Sequence, residues 1–444
     1  MSKEVIRRVA EDKVKFVCLQ FTDVSGGVKS VDLPVRQLEA ALEDGVWFDG
    51  SSVEGFARIQ ESDMRLLPDP ETYAVLSWSD PDRRRARLFC DIYRPDGVPF
   101  AGDPRGILKR ATEALRQRGW EFNVGPEPEF FLLRKNGPTT IHPVPHDVGG
   151  YFDFSASDEA QRVRAELMLA LESMGLEVET GHHEVALGQH EIDFRYTDAV
   201  RAADNVITLK YTVKALAAKH DLVATFMPKP IFGINGSGMH CHQSLFDTKG
   251  KNLFYDRGDE FKLSGLAYQF VAGQLEHARG MAAIVAPTIN SYKRIVPGYE
   301  APVYVCWAQI NRSALIRIPR HMDERSKATR AELRCPDPSC NPYLAFAAML
   351  SAGLDGIDRG LACPPPVNNI NIYEMTEPEL QELGIRQLPG SLAEALDELE
   401  ADSVVTAALG AEALEAFVRA KRTECDTYRT RVTDWEVTAY LETA

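Results

Sequence analysis

At 444 residues and a net charge of −15, the chain has room for two or more domains and is too acidic for a general nucleic-acid surface. Hydrophobic residues make up 44% and charged residues 26%, near globular averages, which excludes wholesale disorder and a membrane protein. No apolar run reaches the roughly 18 residues that span a bilayer. The N-terminus carries no signal-peptide core and the eight cysteines show no metal-type pairing, so a cytoplasmic protein with reduced thiols is expected.

Residues 1–103 read as a small β-rich domain. Lys13–Phe21 has strand character, and Ser25-Gly-Gly27 is a turn returning into Val28–Val31. The loop Phe48–Phe56 interrupts regular structure with two glycines and two serines, and strands are expected at Thr72–Trp78 and Ala86–Tyr93. A Pro-, Gly- and Asp-rich linker spans Pro95–Pro104, and the second domain is placed at 104–444. Its first helix has Asp103 as N-cap, Pro104 in the first turn, and Ile107, Leu108, Ala111 and Leu115 at helical spacing. Next comes Asn123–Leu133, in which Glu127 and Glu129 sit two apart in an otherwise apolar run. On a strand both carboxylates point to one face, where their repulsion calls for a cation. Mg2+ or Mn2+ suits such oxygen ligands, and a solvated edge strand is the alternative.

Helices are expected at 157–174, 199–220, 261–283 and 341–359, with Ser391 and Glu394 forming a capping box near the C-terminus. Strands and long helices alternate loosely, which gives an α+β fold with a mainly antiparallel sheet. Glu184 and Glu191 are seven apart and would lie on opposite faces of a regular strand. Gly188 between them allows a break or bulge that brings them together, against the alternative of solvated hairpin glutamates. In Phe232–Leu245, Gly236 and Gly238 permit close backbone approach to a ligand, and His240 and His242 share a strand face suited to a metal and a phosphate, with core histidines as the alternative. Ser291–Pro302 reads as a loop covering a site. Arg312 and Arg317 lie in an apolar strand-like run, and Arg330, Glu332 and Arg334 share one face. Arginines placed so need anionic partners, either phosphate or internal carboxylates. Together these residues point to a divalent-metal nucleotide site for phosphoryl transfer, without separating hydrolysis from ligation.

Seven stretches, in order, resemble the signatures of the glutamine synthetase family: Asp49-Gly-Ser-Ser52, Gly125-Pro-Glu-Pro-Glu129, His183-Glu184, Asn235-Gly-Ser-Gly-Met-His-Cys-His242, Lys293-Arg294 to Pro302, Asn311-Arg312-Ser313 and Glu332-Leu-Arg-Cys-Pro-Asp-Pro338. The length resembles the short bacterial type I form. The resemblance implies a β-grasp-like N-terminal domain and a catalytic domain whose curved sheet, flanked by helices, forms a funnel. It implies condensation of glutamate with ammonia through γ-glutamyl phosphate at the expense of ATP. One metal would be held by Glu129, Glu184 and Glu191, and the other by Glu127, His240 and Glu332. The catalytic set would be Asp49, Glu300, Arg312 and Arg334. Glutamate would contact Glu129, Asn235, Gly236, His240, Arg294, Glu300, Arg312 and Arg334. ATP would be met by Glu179, Phe194, Tyr196, His242, Ser244, Arg312, Arg317 and Arg330. Arg58 would sense glutamine in feedback inhibition. A dodecamer of two hexameric rings is implied, with Asp49 completing a neighbour's site, and the tail resembles one that contacts nitrogen-responsive transcription regulators. The alternatives are a γ-glutamyl-polyamine ligase, a two-metal hydrolase and a non-catalytic relative. The intact Asp-Gly-Ser-Ser loop favours ammonia, and the six ligands disfavour a non-catalytic role.

Overall fold

The polar, periodic start of the chain folds as helix α1 (Ser2–Glu11), which lays Val5 and Val9 into the core of a small sheet. The structure, a computed structural model, describes residues 2–51, 53, 63–137, 142–154, 159–299, 301–311, 313–320, 326–368 and 372–443. Arg58, Glu300 and Arg312 lie outside the described residues. Strands β1 (Phe16–Thr22) and β2 (Val28–Pro34) make the hairpin expected around Ser25–Gly27. Helix α2 (Leu38–Asp44) leads into β3 (Val46–Asp49), β4 (Asp63–Pro68), the short β5 (Ala74–Val75) and β6 (Arg85–Tyr93). The sheet runs β2-β1-β6-β4-β3, with β1 and β6 parallel and β5 paired to β6.

Two expectations need correction here. Thr72–Trp78 is strand over only Ala74–Val75, because Pro70–Thr72 forms a 3-10 turn capped by the Asp69 carboxylate. The antiparallel pair β3–β4, which includes Phe48 and Asp49, was not anticipated from the sequence. β4 nonetheless has the period-two burial of a half-buried strand.

Helix α3 (Pro104–Arg116) opens as its sequence requires: Asp103 accepts from the Arg105 N–H, Pro104 occupies the first turn, and Ile107, Leu108 and Leu115 are buried. There follow β7 (Trp120–Arg134), α4 (Glu159–Ser173), β8 (Val178–His183), β9 (Gln189–Phe194), β10 (Thr197–Asp198), α5 (Ala199–Lys219), β11 (Leu222–Thr225) and β12 (Met239–Asp247). The expected helix over 261–283 is two helices, α6 (Gly265–Glu276) and α7 (Ala278–Val285), with a break at His277. Helix α8 (Ser291–Arg294) occupies the start of a stretch read as loop. Strands β13 (Tyr304–Ala308), β14 (Ala314–Arg317) and β15 (Ala331–Leu333) precede α9 (Pro342–Asp358). After α10 (Glu377–Glu382) and β16 (Arg386–Gln387) come α11 (Leu392–Ala401), α12 (Ser403–Leu409), α13 (Ala411–Arg429) and α14 (Asp434–Tyr440).

The large sheet runs β16-β13-β14-β15-β12-β7-β9-β8, with β10 and β11 also on β7, and only β13–β14 is parallel. Mixed α and β with a mainly antiparallel sheet is therefore the architecture. At the start of α11 the Ser391 hydroxyl accepts from the Glu394 N–H. The Glu394 carboxylate turns instead to the Gly390 N–H and Arg279, so the expected capping box is only half formed.

His277, at the break between α6 and α7, bonds Asp402 through Nδ1 (2.8 Å) and Asp355 through Nε2 (2.9 Å). Burial lowers its pKa, but the bonds to Asp402 and Asp355 outweigh burial and leave it raised. A raised folded-state pKa gives stability that is full below the unfolded value of about 6.5 and is lost as pH rises through the folded value. His277→Gln should therefore lose most stability, relative to the parent, between about pH 5 and 6. The deficit should shrink above the folded pKa, read from urea unfolding midpoints across pH.

Candidate active site

β7 positions the site. It pairs with β12 over Trp120–Pro128, with β10 at Asn123–Val124, and with β9 over Glu129–Phe131. On the β9–β10 side, residues 125–128 have no strand partner. Pro126 and Pro128 lack the N–H a ladder would use and occupy this gap. Glu127 and Glu129 stand on one face of this stretch, one on each side of the change of partner.

The first group forms where β12 and β15 meet β7. Ligand-type atoms of Glu127, His240 and Glu332 lie within 4.8 Å of one another. Register explains it: His240 pairs with Glu127, and His242 pairs with Glu332. Glu332 is fully buried and ion-paired to Arg317 Nε (2.8 Å) and Arg334 Nη1 (2.5 Å). Arg330 donates to His242 Nδ1 (3.1 Å), which leaves the ring proton on Nε2, facing Glu127 Oε1 at 2.6 Å. Burial alone would raise the Glu127 pKa, but His242 and His240 hold it well below the ordinary range. Glu332 is likewise lowered, with burial opposed by His242 and Arg334. Burial and Arg334 lower His240, so its ring is the neutral donor that binds metals. The Arg334 Nε–H is buried and has no hydrogen-bond partner among the described residues, a donor suited to an anion.

The second group lies across β7. Hairpin β8–β9 turns at Gly188, whose φ of +70° suits glycine, and the Glu184 N–H donates to the Gln189 carbonyl. The turn settles the face question left open by the seven-residue spacing: Glu184 and Glu191 come together, with His182 Nε2 3.0 Å from Glu184 and 3.7 Å from Glu191. Glu129 pairs with Glu191 in register. Burial raises Glu191, with Glu129 and Asp193 adding to the push. Burial and the charge of Glu184 raise Glu129. The first group is balanced by arginines and histidines, whereas the second sets Glu184 and Glu191 against the single imidazole of His182, with Glu129 in register beside Glu191. A divalent cation fits that donor set.

The glycine loop lies beneath both groups. A Cβ on Gly238 would sit 2.5 Å from Arg294 Nη2 and 3.2 Å from His240 Nε2, so only glycine allows this packing. A Cβ on Gly236 would collide with the Pro228 carbonyl at 2.2 Å. Arg294 is buried and donates to the carbonyls of Cys335 (3.0 Å) and Arg334 (3.1 Å). Gln189 Nε2 bridges Glu129 Oε2 (2.6 Å) and the Gly236 carbonyl (3.1 Å). Gln189 and His182 were not singled out from the sequence. Gln189 could have been, since it shares strand parity with Glu191.

Of the other expected residues, Ser244 is buried on the His240–His242 face, Glu179 is exposed on β8, and Tyr196 is partly exposed and stacked on Phe246. Phe194 is corrected: it is 3% exposed in the main core and presents no face to a nucleotide. Asp49 is exposed at the end of β3 and accepts from the Ser51 N–H (2.8 Å), and no described hydrogen bond or ion pair joins it to the glutamates. A third group, His146, Asp147 and His190, backs the hairpin. There Arg164 donates to His190 Nδ1 (2.8 Å), which puts the proton of a neutral His190 on Nε2, towards His146 Nε2 (3.0 Å). That arrangement reads as hydrogen-bonded support for the glutamates on the other face.

Residues 13–95 match the profile of the glutamine synthetase beta-Grasp domain, and residues 101–440 match that of the glutamine synthetase catalytic domain. The chain belongs to the glutamine synthetase family. The glutamine synthetase of Halobacterium salinarum is 52% identical over 441 residues, 99% of this chain and 96% of that one. That of Thermus thermophilus is 52% identical over 444 residues, 99% and 98% of the two chains. A solved GmaS/ADP complex superposes with a TM-score of 0.89 at 34% identity, covering 98% of this chain and 99% of that one. As a member of the glutamine synthetase family, the chain is an ATP-dependent ligase that forms glutamine from glutamate and ammonia. Family use of ATP and divalent metals agrees with two ligand groups flanking one strand.

Proposed function

We propose that the two groups divide the labour of glutamine formation across β7. Glu129, Glu184 and Glu191 would hold one ion and Glu127, His240 and Glu332 the other, with Mg2+ or Mn2+ as the ions. Bound there, they supply neutralisation of the charge shared by the donor and acceptor oxygens of the phosphoryl group. The observation that carries this reading is two groups of close-set ligand atoms, Glu127, His240 and Glu332 in one and Glu184 and Glu191 with His182 in the other, with Glu129 in register beside Glu191 and the open N–H of Arg334 next to the first group.

Each side chain then has a task. Arg334 and Arg312 hold the phosphoryl group as ATP passes it to the glutamate γ-carboxylate, giving γ-glutamyl phosphate and ADP. Arg317, Arg330, His242, Ser244, Glu179 and Tyr196 meet the nucleotide, and His242 also holds Glu127 in place. The solved GmaS/ADP complex supports a nucleotide on this fold. Asn235, Gly236 and Arg294 position the amino acid. Hydrogen bonds from Ser51 lower the Asp49 pKa, which keeps its carboxylate ionised. It binds ammonium and takes its proton, leaving ammonia to attack the acyl phosphate and expel phosphate. Glu300 shields the acyl phosphate from water.

The exposure of Asp49 supports a site completed by a neighbouring subunit, and a double ring of two hexamers is the assembly proposed. No helix among the described residues is long and apolar enough to cross a membrane. A cytoplasmic enzyme of nitrogen assimilation, with feedback inhibition through Arg58 and contact with nitrogen-responsive transcription regulators, completes the reading. The test supplies ATP, Mg2+ or Mn2+ and glutamate and varies the amine. Phosphate release that depends on ammonium and yields glutamine is expected. Equal release without an amine, or release only with a polyamine, would overturn the reading.

A further inference from the structure

Lys229, in Met227-Pro-Lys-Pro230, has no task in the mechanism above, yet it lies under the glycine loop and is only 8% exposed. Its backbone is clamped on both sides by one side chain. The Lys229 N–H donates to Asn290 Oδ1 (2.7 Å), and its carbonyl accepts from Asn290 Nδ2 (3.0 Å). The ammonium donates to the Ile234 carbonyl. It also stands 3.7 Å from the centroid of the Tyr299 ring.

Among the described residues no carboxylate pairs with Lys229. Burying an ammonium without one is costly, and a lysine that served only as filler would be replaced by an apolar chain of the same length without loss. A carbonyl and an aromatic face are the two neutral partners that hold a partly desolvated cation. They come from two different segments. Ile234 immediately precedes Asn235 and Gly236, and Tyr299 immediately precedes Glu300 in the chain. Arg294 lies against the same loop, its Cγ and Lys229 Cδ each 3.3 Å from the Cβ position of Gly236.

We infer that Lys229 is a positioning residue that ties the Ile234–Gly236 loop to the segment ending at Tyr299. The inference rests on the acyl-phosphate reading above. Filling the amino-acid pocket and placing that segment are then set together, and γ-glutamyl phosphate meets ammonia before water. Loss of the tie makes water the competing nucleophile: its oxygen bonds to the γ-acyl carbon, the acyl C–O bond to phosphate breaks, a proton passes to solvent, and glutamate and inorganic phosphate leave without glutamine.

The test measures phosphate released per glutamine formed at limiting ammonium, with intact assembly confirmed for each variant. The parent should release close to one phosphate per glutamine, with a small hydrolysed share as the baseline. Lys229→Met and Tyr299→Leu should each raise the hydrolysed share by about 2- to 30-fold, the span a cation–π contact covers, while the KM for ATP stays unchanged. Lys229→Arg, which keeps the cation, should stay near the parent. The double variant should be no more uncoupled than either single one, because both remove the same contact. Variants that lose kcat but still release one phosphate per glutamine would overturn the inference and leave the ligase reading standing. A parent that makes no glutamine from ammonium would overturn both.

Discussion

Glu332→Ala should lower kcat/KM for glutamine formation by about 10²- to 10⁴-fold. The figure follows from losing one ligand of an ion that supplies several kcal/mol of transition-state charge stabilisation, at about 1.36 kcal/mol per tenfold in rate. Glu332 is the point where three functions meet. Its carboxylate balances Arg317 and Arg334, it sits within 4.8 Å of Glu127 and His240, and its strand sets the register of His242. Without it, the buried Arg334 and the half-buried Arg317 are left with no carboxylate between them. They turn towards Glu127, the remaining acid of that group. Excess Mn2+ should not restore the rate, since the loss falls on the arginines as much as on the ligand. Glu332→Gln keeps the shape and should fold normally with a similar loss of turnover. Near-parental kcat/KM in either variant would remove this group from the reaction.

The second large effect concerns the union of the two domains. Arg105, buried in the first turn of α3, donates to Asp69 (2.8 Å) and Asp91 (2.7 Å) of the N-terminal domain and to both oxygens of Asp204 (3.1 Å each) on α5. The Tyr343 hydroxyl also donates to Asp204 (2.6 Å), carrying the network to α9. Burial opposes the charge on Arg105, but Asp204 and the other acids outweigh burial and raise its pKa well above the ordinary value. Arg105→Ala leaves Asp69 and the buried Asp204 without their cation, while Asp91 keeps Lys109 (2.5 Å), and should destabilise the protein by about 3–5 kcal/mol, read as a lower urea midpoint. Arg105→Lys keeps one charge but not the fork, and should fall between. An unchanged midpoint for Arg105→Ala would mean that this network contributes nothing to the union of the domains.

Much of this architecture is legible in local chemistry. Asp103-Pro104 starts a helix because the carboxylate caps it and the proline fits its first turn. Glu127 and Glu129 share a face because strand geometry alternates, and the proline before each marks the place where a neighbouring strand is missing. The pairing of Glu184 with Glu191 was legible only as one of two options at Gly188, since the choice depends on a left-handed conformation there and on a hairpin register set by distant partners. Phe194 illustrates the converse. Strand parity places it with His190 and Ile192, opposite Glu191, so its assignment to the nucleotide ran against a rule the sequence already offered. The Arg105 network and the Lys229 contacts join residues far apart in the chain, and no local pattern announces them.

The central claim, that β7 divides two ion sites, is tested most directly by counting Mn2+ bound per chain by electron paramagnetic resonance titration. The parent, Glu191→Gln and Glu332→Gln would be measured in the presence of ADP. The account predicts two tight ions in the parent and one in each variant, with the remaining ion bound at near-parental affinity. A single ion in the parent, or loss of both ions from either variant, would contradict two separable sites.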